Sequence, residues 1–331
     1  MINFRTEVAV PKANKPITYR QNILMVGSCF TENIGNYLQN HYFPVLTNPC
    51  GILYNPASMA GCIDFLVREK QLLESDLFYA NGLWNSYYFH SRFSHPNLAT
   101  ALAGMNVSLQ TAANRLKSAS HLFLTFGTSW VYRENGFKTI VGNCHKLPAS
   151  SFSRERLSAD WMAELWEERL NQLFDIHPDL QVVLTVSPIR HLKDGSFENQ
   201  VSKSGLFLLV EKLISHFGTD KIAYFPSYEL VMDELRDYRF YATDMLHLSE
   251  LATTFIQEKF NTAFLDRESM EMLDALQKIV KTLSHKPFQQ KSTAYQEVLI
   301  KLEEEVKSLT TSHTGVNLND LIIEINQKKG S

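Results

Sequence analysis

The sequence predicts an α/β fold in which helices cover both faces of a parallel sheet. Apolar runs that each end in a small or turn-forming residue are typical of buried parallel strands. These runs are 23–26, 121–126, 182–186 and the shorter 221–225. Stretches with helical spacing of apolar residues separate them, and this alternation predicts a three-layer α/β/α arrangement.

Helical periodicity connects each predicted strand to the next. Apolar side chains recur at helical spacing after Ser28, and further helices are predicted over 105–119, 159–174 and 206–217. Ser249 is a typical N-cap of another helix. In open parallel sheets the ligand site lies beyond the carboxyl ends of the strands. The residues that follow the strands are therefore the first candidates for function.

The C-terminal part of the chain has a different pattern. Residues 268–284 and 294–309 show helical periodicity with many charges, and a proline-containing connector beginning at His285 lies between them. We expect an α/β domain over 1–264 and a helical C-terminal extension over 265–331. This extension either packs on the first domain or joins copies of the chain into a homo-oligomer.

Composition excludes several classes of partner. The formal net charge is -3 and no long charge run is present, so neither nucleic acid nor an anionic membrane surface is an expected partner. No stretch approaches the roughly 18 apolar residues of a membrane span. The N-terminus lacks the pattern of a signal peptide, which favours a cytoplasmic location.

The cysteines and glycines predict neither a metal nor a cofactor. Cys29, Cys50, Cys62 and Cys144 form no CxxC pair or metal-like spacing, so we expect reduced thiols. No G-x-G-x-x-G follows a strand, and no Walker A sequence is present. A thiol at a helix N-terminus can be a nucleophile. The side chain of Cys29 is nevertheless expected to point away from that of Ser28, toward the sheet.

Ser28 lies at a predicted strand-to-helix junction and is a candidate nucleophile. The N–H groups at a helix N-terminus can hold the oxyanion that forms when an ester is attacked, worth roughly 3 kcal/mol per donor. The alternative is that Ser28 only caps the helix. The G-x-S-x-G elbow is absent, because Val26 and Phe30 stand at its glycine positions.

The second candidate element is the sequence Asp244-Met-Leu-His247. A histidine can take the proton of a nucleophile and return it to the leaving group. An aspartate can hold the imidazole in the required tautomer and stabilise its charged form. The alternative is that Asp244 begins a helix and His247 packs against it.

The order Ser28, Asp244, His247 resembles that of the SGNH hydrolase superfamily. More closely, the chain resembles the GSCFA-domain family, named for a sequence that reads Gly27-Ser-Cys-Phe-Thr31 here. The resemblance covers about residues 2–260. Other stretches that carry it begin at Asn48, Thr125, Asn143, Ser187 and Asp237.

The resemblance implies an SGNH-like, flavodoxin-like sheet and an acyl-ester hydrolase with Ser28, Asp244 and His247 as catalytic triad. SGNH enzymes complete the oxyanion hole with the serine N–H, a glycine N–H after the second strand and an asparagine after the third. Gly51 is the candidate glycine. At the third position this chain has no asparagine, so the candidates there are a polar group of the segment Gly127-Thr128-Ser129, or Asn143.

Four further residues are candidates for substrate binding. Arg190 and His191 follow a predicted strand, and Arg190 is suited to bind a carboxylate or phosphate in a bidentate manner. The alternative for Arg190 is a structural ion pair with a carboxylate such as Asp194. His145 adds an imidazole, and Trp84 could stack on a sugar ring, although such aromatics more often pack in a core.

We therefore expect a serine esterase that cleaves O-acyl esters, O-acetyl among them, on a carbohydrate or related small molecule, without a cofactor. An O-acyltransferase that acts on a glycan is the first alternative. The second is a carbohydrate-binding protein with a degenerate site, a reading supported by the missing asparagine. A scaffold built on the helical extension is the third.

Overall fold

The computed structural model describes residues 5–284, 292–313 and 316–329. The strands are β1 (Asn22–Gly27), β2 (Val45–Thr47), β3 (Phe78–Ala80), β4 (Leu83–Asn85), β5 (Ala119–Phe126), β6 (Trp130–Glu134), β7 (Ile140–Val141), β8 (Phe152–Arg156), β9 (Gln181–Val186) and β10 (Ile222–Tyr224). The α-helices are α1 (Cys29–Asn40), α2 (Pro56–Val67), α3 (Leu98–Lys117), α4 (Ala159–Ile176), α5 (Gly195–Phe217), α6 (Ser227–Glu229), α7 (Glu250–Phe264), α8 (Arg267–Ser284), α9 (Thr293–Ser312) and α10 (Asn319–Lys329).

The central sheet confirms the predicted α/β fold. Its strand order is β10-β9-β5-β1-β2, and every pairing in it is parallel. Numbered by their order along the chain, these strands read 5-4-3-1-2, which is the flavodoxin-like order. The order reverses between β1 and β5, so the crevice for a ligand is expected where those two strands end.

The two faces of the sheet are covered by different sets of helices. Successive side chains of a strand point to opposite faces. In β1, Leu24 and Val26 therefore pack with α2, α3, α4 and α5, whereas Ile23 and Met25 pack with α1 and α7. The helices thus bury the sheet from both sides, which explains why its strands read as nearly continuous apolar runs.

The predicted helices of the C-terminal extension are present as α8 and α9, and a third helix, α10, follows them. Their buried side chains, among them Leu276, Val306 and Ile325, join the same core as α1 and α7. The extension therefore packs on the α/β body. The proline-containing connector predicted from His285 lies outside the described residues. Within those residues no helix is both long and apolar enough to cross a membrane.

Two helices begin earlier than the sequence predicts. α3 begins at Leu98 instead of 105, and α5 begins at Gly195 instead of 206. The first half of α5 lacks an apolar stripe because it buries the polar side chains of Asn199, Ser202 and Lys203. The prediction also missed α2, the short edge strand β2 and two small antiparallel sheets, β3-β4 and β7-β6-β8.

Candidate functional site

A cavity of about 560 Å³ lies where β1, β5 and β9 end. This volume suits a small-molecule ligand. The strand β6 and the loop that follows β7 form one wall of the cavity. Polar side chains in the lining include Cys29, Asn55, Thr128, Asn143, Arg190 and His247.

His247 and Asp244 form a hydrogen-bonded pair at the rim of this cavity. His247 Nδ1 lies 2.6 Å from Asp244 Oδ2, and Asp244 Oδ1 accepts the backbone N–H groups of Leu246 and His247 at 2.9 Å each. The bond from His247 and these two N–H groups lower the pKa of Asp244 to about 2. A carboxylate can only accept, so Nδ1 carries the proton and Nε2 is left as the basic nitrogen.

The two residues at the start of α1 have different surroundings. Ser28 is the N-cap, with 1 % of its surface exposed, and its Oγ accepts the Phe30 N–H at 3.3 Å. Within the described residues it makes no hydrogen bond to His247, and it is absent from the cavity lining. Cys29 is the first residue of α1, is half-buried and lines the cavity. The assignment of Ser28 as nucleophile remains a prediction.

Cys29 belongs to the cavity lining, a place that the expected orientation toward the sheet did not include. An N-cap side chain folds back over the first turn to bond the free N–H groups. The next residue is rotated by about 100° around the helix axis. For this reason the side chains of Ser28 and Cys29 leave the start of α1 in different directions, and Cys29 but not Ser28 belongs to the cavity lining.

The backbone donors predicted at Gly51 and in the segment after β5 are already engaged. Gly51, with φ +80°, donates its N–H to Asn48 O at 2.8 Å and does not belong to the cavity lining. The N–H groups of Gly127 and Thr128 both donate to Tyr54 O, at 2.8 and 3.0 Å. Thr128 and Asn143 do line the cavity.

Most of the remaining polar side-chain atoms of these candidates have partners as well. The Thr128 hydroxyl lies 3.0 Å from Ser202 Oγ, and Ser129 is fully buried against the same Ser202 Oγ. Asn143 Oδ1 accepts the His145 N–H at 2.7 Å. Its Nδ2 makes no bond to the rest of the described chain and so stays a candidate donor.

Asn55 is a further candidate donor, which sequence reasoning missed. It caps α2, and its Oδ1 accepts the Ser58 N–H at 2.8 Å. This bond orients the amide so that Nδ2 is the free end. Asn55 lines the cavity, and its Nδ2 makes no hydrogen bond in the part of the chain that the structure describes. The signal for the helix was the pair Asn55-Pro56, an N-cap followed by proline at the first helical position.

Polar side chains of α5 form the floor under the strand ends. Lys203, 1 % exposed, donates from Nζ to Gly127 O at 2.7 Å and to Ser187 O at 2.6 Å. Ser202 Oγ accepts the Ser129 N–H at 2.9 Å, and Asn199 Oδ1 accepts the His191 N–H at 2.8 Å. These contacts fix the loops that follow β5 and β9. Sequence reasoning missed them because the bonds to Gly127 and Ser129 join residues more than 70 positions apart and those to Ser187 and His191 follow no local pattern.

Burial changes the ionisation of two basic groups at the floor. Burial, together with a smaller contribution from the nearby charge of Arg190, lowers the pKa of Lys203 to about 7. Burial also lowers the pKa of His191 to about 4. His191 lines the cavity with its ring nearly perpendicular to that of Tyr54, 5.4 Å between ring centroids, and is a neutral imidazole at pH 7.

Arg190 lines the cavity without the ion pair that was its alternative role. The carboxylate of Asp194 is bound by Arg154 instead, with Arg154 Nη2 2.6 Å from Asp194 Oδ2. The buried Nε of Arg190 has no hydrogen-bond partner among the described residues. The guanidinium is therefore free to meet an anionic group of a ligand.

The structure does not bring His145 or Trp84 to the cavity. His145 is buried, with Nε2 2.8 Å from Ser86 O. Trp84 packs on Tyr79, 5.3 Å between ring centroids, and pairs with His95 through the backbone. Across the described ranges, no three His, Cys, Asp or Glu side chains are grouped so that they could hold a metal ion.

The sequence over residues 22–260 matches the model of the GSCFA family. This chain belongs to the GSCFA family. Residues 276–328 match a second family description, GSCFA domain protein, C-terminal domain. The first match runs from β1 into α7 and so includes Cys29, Asn55 and His247. The second covers the C-terminal half of α8, all of α9 and all but the last residue of α10.

Other comparisons add little to the family assignment. No curated protein matches the GSCFA chain. Among solved structures, it is similar to a Streptococcus pneumonia protein described as a "putative platelet activating factor". The sequences are 11 % identical, the TM-score is 0.35, and the match covers 73 % of this chain and 83 % of the other.

Proposed function

We propose that this GSCFA protein is an SGNH-type hydrolase that cleaves carboxylic esters through a covalent acyl-enzyme. The observation that carries the proposal is the 2.6 Å bond between His247 Nδ1 and Asp244 Oδ2 at the rim of the cavity. It leaves Nε2 of His247 as the base on the same cavity that the N-terminus of α1 enters. A base and a helix N-terminus that face one space are the two parts that acyl transfer requires.

The chemistry follows from the roles of these groups. His247 takes the proton of a nucleophile at the start of α1, and the carboxylate of Asp244 stabilises the resulting imidazolium. The nucleophile attacks the ester carbonyl, and free N–H groups hold the oxyanion. His247 then protonates the leaving alcohol and activates water to release the acid. Ser28 is the nucleophile that the family resemblance implies.

The cavity suggests what the ester carries. Its volume of about 560 Å³ fits a small molecule of the size of one or two sugar rings. Trp130 and Tyr132 line one wall and offer aromatic surface. We propose an O-acyl group, acetyl included, on a carbohydrate or a related small molecule as substrate.

The test compares ester hydrolysis by wild type, His247→Ala and His216→Ala, with p-nitrophenyl acetate as substrate. His216 is the matched control because it is also half-exposed, lies near a carboxylate, Glu167 at 3.9 Å, and stands at the far end of α5. We expect His247→Ala to lower kcat by about 10³-fold and His216→Ala to leave it unchanged. Equal rates in all three proteins would contradict the proposal.

A further inference from the structure

An open groove continues from the cavity along the small sheet β7-β6-β8. Its volume is about 540 Å³. It is lined by one aromatic and four charged residues, which are Trp130, Arg154, Arg156, Asp194 and Glu198. Three of these, Trp130, Arg154 and Asp194, also line the cavity that contains His247. A ligand that extends out of the cavity over these three residues therefore enters the groove.

The groove lies between one face of the small sheet and the start of α5. Trp130 is directly opposite Arg156 in the register of β6 and β8, and Arg154 is two residues before Arg156, so the three side chains share a face. Asp194 is the N-cap of α5, and Glu198 lies in its first turn. Each of the two arginines on β8 reaches across to one of these carboxylates.

The two ion pairs of the groove differ in the atoms that they leave free. Arg154 binds both oxygens of Asp194, with Nη2 2.6 Å from Oδ2, and its guanidinium lies over the ring of Trp130, 4.4 Å from the ring centroid. Arg156 binds Glu198 through a single bond, from Nη1 to Oε2 at 2.8 Å, and both side chains are more than a third exposed. Glu198 Oε1 and Arg156 Nη2 make no hydrogen bond to the described residues. The second pair therefore offers a free acceptor beside a free donor.

These free atoms fit a hydroxyl group better than an ion. A hydroxyl donates one hydrogen bond and accepts others, so it can bond to a carboxylate and a guanidinium at the same time. The groove carries two arginines and two carboxylates, so their formal charges cancel. An anion would meet the carboxylates and a cation would meet the arginines, and contacts between like charges oppose binding. A neutral ligand with several hydroxyls, such as a sugar ring, avoids both.

We propose that the groove is a second subsite, which binds a neutral sugar unit next to the acylated unit in the cavity. The proposal rests on the ester-cleaving function proposed above and names its substrate class, an acylated oligosaccharide or polysaccharide. A hydroxyl of the second unit bonds to Glu198 Oε1 and to Arg156 Nη2. Trp130 and the guanidinium of Arg154 line the passage between the two units.

The first experiment compares substrates of different length in the full-length protein. Partially O-acetylated xylose, glucose and N-acetylglucosamine, with their dimers, are the substrates, and acetate release gives kcat/KM per acetyl group. The double variant Arg156→Ala, Glu198→Ala removes the free atoms and keeps the net charge. Neither residue lines the cavity, and an exposed ion pair contributes little to stability.

The matched control is the double variant Arg133→Ala, Glu155→Ala. These residues form an exposed ion pair on the same two strands, with Arg133 Nε 3.1 Å from Glu155 Oε1. They alternate with the residues that line the groove and therefore lie on the opposite face of the sheet. Neither of them lines the groove or the cavity.

For at least one of the three sugars, we expect wild type to prefer the dimer to the monomer by about tenfold in kcat/KM, because the second unit gains hydrogen bonds in the groove. The variant of the groove should reduce this preference to about twofold or less, and the control variant should keep it. A wild type without a length preference, or a groove variant that retains it, would overturn the subsite. Turnover of p-nitrophenyl acetate without turnover of any dimer would overturn the subsite and leave the esterase function intact.

A binding experiment separates the failure of the subsite from the failure of the ester-cleaving function. The unmodified trimers of the same three sugars are titrated into wild type and both double variants, and Kd is measured by calorimetry. Binding of a trimer that is weakened about tenfold in the groove variant alone would support the subsite even if no ester is cleaved. If no trimer binds and no length preference is found, the subsite is rejected, whatever the rate with p-nitrophenyl acetate.

Discussion

The floor and the rim of the cavity are held in opposite ways. The floor consists of buried side chains from α5 that bond the loops after β5 and β9, such as Lys203, with Nζ 2.7 Å from Gly127 O. The rim carries His247 and Asp244, whose side chains are 54 % and 47 % exposed. The floor depends on distant parts of the chain, whereas the rim is closed by one short turn. We therefore expect damage to the floor to affect stability and damage to the rim to affect catalysis.

The largest expected effect breaks the rim alone. Asp244→Asn keeps an oxygen for the N–H groups of Leu246 and His247 but no longer fixes the tautomer of His247. We expect kcat for aryl ester hydrolysis to fall by about 10³-fold, with little change in the urea midpoint. Asp237→Asn is the control, because Asp237 also caps a short turn, bonding the Arg239 N–H at 3.0 Å, and is exposed.

A comparable loss of activity in Asp237→Asn would mean that the loop, and not the His247 pair, is sensitive to substitution. An Asp244→Asn protein with normal kcat would remove His247 tautomer control from the mechanism.

The second prediction breaks the floor. Ser202→Ala leaves the buried Ser129 N–H without the acceptor that it has at 2.9 Å. A buried donor that loses its partner costs about 1–3 kcal/mol, so we expect the free energy of unfolding to fall by about 2 kcal/mol. Ser204→Ala on the same helix removes only an exposed bond to Gln200 O and should change stability little. Urea unfolding of both variants checks the prediction, and equal losses would contradict it.

The third prediction concerns the ionisation of Lys203 at the floor of the cavity. Because burial lowers the pKa of Lys203 from 10.5 to about 7, the folded protein binds fewer protons than the unfolded chain between these pH values. Stability must then rise with pH across this window, and the contribution of Lys203 has no pH dependence well below it. Between pH 7 and 9, we expect the free energy of unfolding of the wild type to rise by about 1 kcal/mol per pH unit relative to that of Lys203→Met.

Urea unfolding at three pH values gives the free energy of unfolding of both proteins, and the difference between them is taken at each pH. The contributions of the other titrating groups cancel in this difference. Lys212→Met is the matched variant, since Lys212 lies on the same helix but is exposed and paired with Asp160 at 2.9 Å. If the difference in free energy of unfolding between wild type and Lys203→Met does not change with pH, Lys203 keeps its charge when buried.

The smallest expected effect concerns Arg190, which lies between floor and rim. Its guanidinium should bind an anionic group of the substrate, so Arg190→Gln should raise KM about fivefold for an aryl ester with a carboxylate on its acyl chain. The KM for p-nitrophenyl acetate should not change. Arg236→Gln, which removes an exposed arginine bound to Asp233, is the control. Equal changes for both esters would refute a role in charge recognition.

The comparison of floor and rim also explains what the sequence could predict. The strands β1, β5 and β9 were predictable because both faces of the sheet are buried and the strands read as apolar runs. The pair Asp244 and His247 was predictable as a candidate because its members are three residues apart. Its bond lies within a turn that is also closed by the bond from the His247 N–H to Asp244 Oδ1.

Other features depend on contacts that no local pattern records. The first half of α5 was missed because Asn199, Ser202 and Lys203 face the floor and interrupt the apolar periodicity. The different surroundings of Ser28 and Cys29 follow from where α1 begins. A boundary shifted by one residue would exchange the N-cap and the cavity-lining position, and sequence patterns do not fix helix ends to one residue.

The shared core of α1, α7 and the C-terminal helices has a consequence for synthesis of the protein in the cell. Residues such as Ile34 and Leu38 leave the ribosome long before Phe260, Leu276 and Ile325, which cover the same core. Because synthesis proceeds at about 5–20 residues per second, the apolar face of α1 stays uncovered for roughly ten seconds to a minute. We expect the nascent chain to need chaperone protection during that interval, and ribosome-bound chains that end near residue 220 to be captured by a chaperone more readily than full-length chains.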